Sequence, residues 1–132
     1  MLRFAASGLV VLATVALTSS AFDQTAPQPK RTVLKTADLT GTDKEIIIAE
    51  FEVPPGAFVP RHIHPGEEAT YVLEGARMQM PDGKEIDRPV GQAGVNVREV
   101  PHAGYKIVGD KTLKILTIHI VDKGKPMTVQ VP

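Results

Sequence analysis

The chain contains no cysteine and no tryptophan, and its only serines are Ser7, Ser19 and Ser20. Without cysteine there is no disulfide, no thiolate nucleophile and no thiolate ligand for a metal. All three serines precede residue 21, so a chain trimmed there loses the serine nucleophile as well, and Ser–His and Cys–His hydrolytic arrangements are excluded. An excess of one charge is missing too: 15 Lys and Arg balance 15 Asp and Glu. No basic cluster extends beyond Lys30-Arg31, which leaves no electrostatic reason to bind nucleic acid or an anionic membrane. Long apolar runs are also lacking. The stretch from Phe4 to Leu17 spans 14 residues and is interrupted by Ser7 and Thr14, short of the roughly 20 that cross a bilayer.

The N-terminus instead carries a three-part secretory pattern. Met1-Leu2-Arg3 is a short basic start, Leu9 to Leu17 an apolar run, and Ser19-Ser20-Ala21 a small-residue cleavage site. Cleavage is expected after Ala21, so residues 1–21 form a signal peptide and 111 residues remain, with 14 basic and 15 acidic side chains. A short signal of this kind fits export to a bacterial periplasm. No cysteine follows it for a lipid anchor, and no membrane association is expected of the mature form. Residues 22–32, with Pro27 and Pro29, read as a flexible leader. Residues 33–132 then form a single domain, large enough for one core without disulfide staples.

Within that domain the apolar pattern has period two. Ile47, Ala49, Phe51 and Val53 alternate with Glu50 and Glu52, as in a half-buried strand. Pro54-Pro55-Gly56 stops it. Thr70 to Met80 is β-rich and broken at Gly75, and Pro81-Asp82-Gly83 marks a tight turn before an extended segment through Val90. Val95 to Val100, Leu113 to Val121 and Met127 to Val131 read as further strands, the second apolar on both faces. Gly104 to Thr112 has the outline of a phosphate loop, but Asp110 stands where a lysine is needed and would repel phosphate. The segment is read as a turn between strands. With no helical period in this part of the chain, the expectation is an all-β barrel or sandwich of seven to nine strands.

The chemistry concentrates at His62-Ile63-His64. Residues two apart leave one face of a strand, so the rings stand side by side. That arrangement suits either a divalent metal or a plain surface pair on a half-exposed sheet. Pro65-Gly66 turns the chain, and Glu68 or Glu67 can then return a carboxylate to the two rings. His119 shares a strand face with Ile115, Thr117 and Val121, and reads either as a hydrogen-bonded wall histidine, the commoner outcome, or as a pocket residue. Met78 and Met80 read as core filler, and Tyr71 as a packed aromatic or a hydroxyl reaching the pocket.

The segment Gly56-x5-His62-x-His64-x3-Glu68-x6-Gly75 resembles the first cupin motif at every fixed position. The second motif is matched at Gly91 and His102, with Val97, Glu99 and Lys106 where the family has Pro, Gly and Asn. On these residues the chain is identified as a member of the cupin superfamily, similar to its quercetinase-like members. The resemblance implies a jelly-roll β-barrel with His62, His64, Glu68 and His102 around one divalent transition metal, Fe, Mn, Ni, Cu or Zn. It implies a dioxygenase-type oxidoreductase acting on a small organic substrate, with Glu68 as both ligand and catalytic base. The alternative is a periplasmic cupin that captures a small ligand or metal without turnover. Short cupins are often homodimers that share edge strands. His119 and Tyr71 are the additional pocket residues expected.

Overall fold

The structure, a computed structural model, describes residues 26–132. The expected signal peptide lies outside the described residues. Eleven strands follow one another: β1 (Lys30–Asp38), β2 (Lys44–Val53), β3 (Phe58–Val59), β4 (His62–Ile63), β5 (Gly66–Glu74), β6 (Ala76–Gln79), β7 (Glu85–Arg88), β8 (Ala93–Asn96), β9 (Tyr105–Val108), β10 (Leu113–Asp122) and β11 (Val129–Gln130). There is no helix among the described residues. β1 starts at Lys30, so the last three residues of the span expected as leader belong to a strand.

The strands form a five-stranded sheet in the order β1-β2-β10-β5-β8, a four-stranded sheet β3-β9-β6-β7 and a short pair β11-β4. Non-consecutive neighbours in an antiparallel arrangement are the mark of a jelly roll. The period-two pattern sets which side chains face inward. On β10, Leu113, Ile115, Thr117, His119 and Val121 are buried while the residues between them are half-buried. On β2, Ile47, Ala49 and Val53 do the same. The outer face of β10 is not covered by the other strands: Leu116 and Ile118 border a surface hollow with Tyr71 and Val95.

An apolar cluster fills one half of the interior, built from Val53, Val59, Val72, Met78, Ile107, Leu113 and Ile115 among others. Ile107 comes from β9, which occupies the middle of the Gly104–Thr112 segment read as a turn. Tyr105 and Ile107 alternate with Lys106 and Val108 over only four residues, a period too short to stand out in sequence. β8 ends at Asn96, so the strand expected to Val100 is cut short by a turn.

Candidate metal centre

The other half of the interior is polar. His64 and His119 are completely buried, and Thr117, Glu68 and His62 nearly so. β4, only two residues long, brings His62 in. It pairs with β11 on one side and forms an isolated bridge to His102 on the other. That bridge has two backbone bonds, His62 N–H to His102 C=O and His102 N–H to His62 C=O, both 3.0 Å. Two ring-bearing residues far apart in the chain thus become direct neighbours, their ring centroids 4.5 Å apart.

After His64 the chain turns at Pro65 and enters β5 at Gly66, where the backbone is pressed against β10. A Cβ at Gly66 would stand 1.9 Å from the Ile120 carbonyl oxygen, so no other residue fits. This close approach sets the parity of β5: Glu68 turns inward and is buried beside the rings, while Glu67 is exposed. Register then aligns Asn96 of β8, Glu68 of β5 and His119 of β10 in one row.

His62 Nδ1 donates to Pro60 C=O at 2.8 Å, His64 Nδ1 to Met127 C=O at 2.6 Å, and His102 Nδ1 to Val100 C=O at 3.0 Å. A carbonyl only accepts, so each neutral ring carries its proton on Nδ1 and presents a bare Nε2 lone pair. Outer hydrogen bonds of this kind orient histidine ligands in metal sites. His64 Nε2 and His102 Nε2 face each other at 3.1 Å. Two lone pairs at that distance repel unless a cation or a proton lies between them. The ligand atoms of His62, His64 and His102 all fall within 4.8 Å of one another, as do those of His64, Glu68 and His119. Glu68 Oε2 lies 3.1 Å from His64 Nε2 and 3.8 Å from His102 Nε2. Three nitrogens and one anionic oxygen converging in this way fit a divalent transition metal.

Residues beyond the expected ligands complete the surroundings. Asn96 Nδ2 donates to Glu68 Oε2 at 2.6 Å. Burial pushes the Glu68 carboxyl upward, but a doubly protonated His64, the Asn96 amide and the field of a protonated His119 outweigh it and hold it at about 2. When His64 is neutral its bare Nε2 donates nothing, and the hydrogen bond that stands is the one from Asn96. Glu68 is therefore ionised and already engaged by its neighbours.

His119 is buried in the β10 wall and hydrogen-bonded. Its Nε2 lies 3.4 Å from Glu68 Oε1 and accepts a hydrogen bond from Arg31 Nη1 at 2.9 Å, because a guanidinium can only donate. Its proton then sits on Nδ1, a buried atom without a partner. Burial first, then the fields of Arg31, His64 and His62, lower its pKa to about 4 against the pull of Glu68. His119 stands behind Glu68 rather than at the cavity surface.

Tyr71 is corrected. It sits on the outward parity of β5, is 48% exposed and borders the outer hollow, whereas Thr70 and Glu68 on the alternate parity line the cavity. Counting by twos from Glu68 carries that signal in the sequence. The tyrosine at the cavity is Tyr105, whose hydroxyl burial pushes up to about 12. Arg31, Asn96, Tyr105 and Arg88 were not legible as site residues, since sheet order brings them in.

The second-motif departures have a clear outcome. Glu99, standing where the family has glycine, adopts φ 58°, and Ala103 φ 66°. Both flank His102 in the left-handed region that strains ordinary side chains. The turn keeps the shape a glycine would give it, at a strain of about 1–2 kcal/mol per such residue.

The cavity has a volume of about 250 Å³, with His62, Glu68 and His102 in its wall beside Phe51, Met78 and Tyr105. Comparison with known proteins agrees with this architecture. The cupin-domain family profile matches residues 49–119. The polyketide cyclase RemF from Streptomyces resistomycificus is 30% identical with a TM-score of 0.50, over 70% of this chain and 65% of that one. A Klebsiella pneumoniae protein with a double-stranded β-helix domain is 17% identical with a TM-score of 0.56, over 80% and 85% of the two chains. The DMSP lyase DddQ from Ruegeria pomeroyi is 20% identical with a TM-score of 0.58, over 78% of this chain and 51% of that one. No curated protein matches the chain in sequence. With the family profile running from β2 to His119 and its histidines gathered in the barrel, the chain belongs to the cupin-domain family.

Proposed function

We propose that this is an exported, metal-dependent enzyme that transforms a small organic molecule at His62, His64, Glu68 and His102. The observation that supports it is the pair of bare Nε2 atoms 3.1 Å apart, each ring fixed through Nδ1 on a backbone carbonyl. That is an arrangement prepared for a cation. The ion would supply Lewis-acid polarisation or, if Fe, Mn, Ni or Cu, dioxygenase-type oxidation at positions the four ligands leave open.

The protein's own part is to bind, orient and shield. Phe51, Met78, Met80, Ile86 and Ile115 give the cavity an apolar wall that excludes water. Asn96 holds the Glu68 carboxylate in place, which supports Glu68 as a ligand; to act as a base it must leave that grip. Tyr105 keeps its proton and offers a hydroxyl to whatever enters. A polyketide cyclase and a DMSP lyase among the fold neighbours extend the reaction class to cyclase and lyase chemistry. The firm hold on Glu68 favours one further reading, capture of a small ligand without turnover.

Elemental analysis of the exported protein beside a His62→Ala/His64→Ala variant tests the proposal. Near-stoichiometric metal is expected in the first and none in the second. His102→Ala is expected to bind at least tenfold more weakly, as befits a lost ligand. A native protein that takes up no ion on loading with Fe, Mn, Ni, Cu or Zn would end the enzyme reading.

A further inference from the structure

Arg31 from β1 and Arg88 at the end of β7 both line the cavity, and Glu68 is the single carboxylate among its lining residues. Glu68 accepts from Asn96 and lies among the histidines of the candidate metal centre. Among the described residues neither arginine has a carboxylate within salt-bridge distance, whereas Arg77 pairs with Glu85 and Asp87, and Arg98 with Asp122. Arg88 Nε is buried without any hydrogen-bond partner. The Arg31 guanidinium lies 4.6 Å over the Phe51 ring and directs one N–H to His119. Both arginines share the cavity wall with Tyr105. Unpaired guanidinium groups in an apolar enclosure are unfavourable unless something anionic joins them, and the planar fork of arginine matches a carboxylate.

We infer that the cavity takes a small organic carboxylate, its anionic end on Arg88 and Arg31 and its compact apolar body against Phe51, Met78, Met80 and Ile86. The volume of about 250 Å³ suits a small organic molecule. His62, Glu68 and His102 line the same cavity, so a ligand held there reaches the candidate metal centre. This substrate class rests on the metal-centre reading for the chemistry, but the anion site stands on the arginines alone.

The test is isothermal titration calorimetry on zinc-loaded protein with acetate, isobutyrate, benzoate and phenylacetate, each beside its uncharged amide. At least one acid is expected to bind tenfold or more tightly than its amide. Arg88→Gln is expected to bring that preference below threefold with zinc content unchanged, and Arg88→Lys to restore part of it. Arg31→Gln, with folding checked by thermal denaturation, gives a second loss from another strand. No acid preferred over its amide, or a preference that survives Arg88→Gln, overturns the inference. Running the same pairs on metal-free native protein and on His62→Ala/His64→Ala separates the two readings: acid preference kept in both, with a native protein that loads no metal, would sink the metal centre and leave the anion site standing.

Discussion

Strand β10 passes through both halves of the barrel interior and shows how differently they are built. Its inward row starts with Leu113 and Ile115, which belong to the apolar cluster, and continues with Thr117 and His119. The backbone, spacing and burial are the same at each position. In the first half the side chains need only fill space. In the second the polar side chains take specific neighbours: Thr117 Oγ1 donates to Ala49 C=O at 3.2 Å, and His119 meets Arg31 and Glu68. One half is built to hold the fold together; the other accepts strain, buried charge and facing lone pairs, as functional sites do.

If that division holds, metal affects stability through the polar half alone. An ion at a thousand times its dissociation constant is expected to stabilise the native protein by about 4 kcal/mol, and the His62→Ala/His64→Ala variant by nothing; differential scanning calorimetry reads both. Leu113→Ala is expected to lower stability by about 2–5 kcal/mol through the cavity it leaves, while keeping stoichiometric metal. A variant that loses metal along with stability would break the comparison, because it would tie the two halves into one unit.

Tyr105 lies at the border between them. Its proton is held to about pH 12, against about 10 in the unfolded chain. The folded state then binds more protons between these values, so stability present below pH 10 is lost as pH rises toward 12, by about 2 kcal/mol. Ultraviolet titration is expected to show a tyrosine ionising near pH 12 that is absent in Tyr105→Phe, and that variant is expected to be less sensitive to alkali in urea unfolding. The smallest effect belongs to the strained turn. Glu99→Gly relieves about 1–2 kcal/mol of left-handed strain and gives back about 0.5–1 as backbone entropy. A net gain of about 0.5 kcal/mol in urea unfolding, with metal affinity unchanged, is the expected result.

The sequence carried the local part of this site and little of the rest. His62, His64 and Glu68 lie within one strand–turn–strand unit, where spacing and alternation determine direction, and His102 followed from its distance to Gly91. Tyr71 went to the wrong side although the same alternation, counted from Glu68, turns it outward. Arg31, Asn96 and Tyr105 come from β1, β8 and β9, and reach the cavity only through sheet order and register. Those are long-range properties, and no window of sequence contains them. β9 was missed for a related reason, since four residues paired on both sides draw their strand character from neighbours rather than from propensity.

The paired backbone bonds between His62 and His102 also set an order of events. An extended, unfolded chain offers an ion only the two adjacent histidines, and the remaining nitrogen arrives when a loop of about forty residues closes. Closing such a loop precedes any reward from the contacts it brings. On the proposed metal site, full-strength capture would be a late act of folding, and the rate at which the refolding protein took up an ion would report the moment at which the barrel shuts.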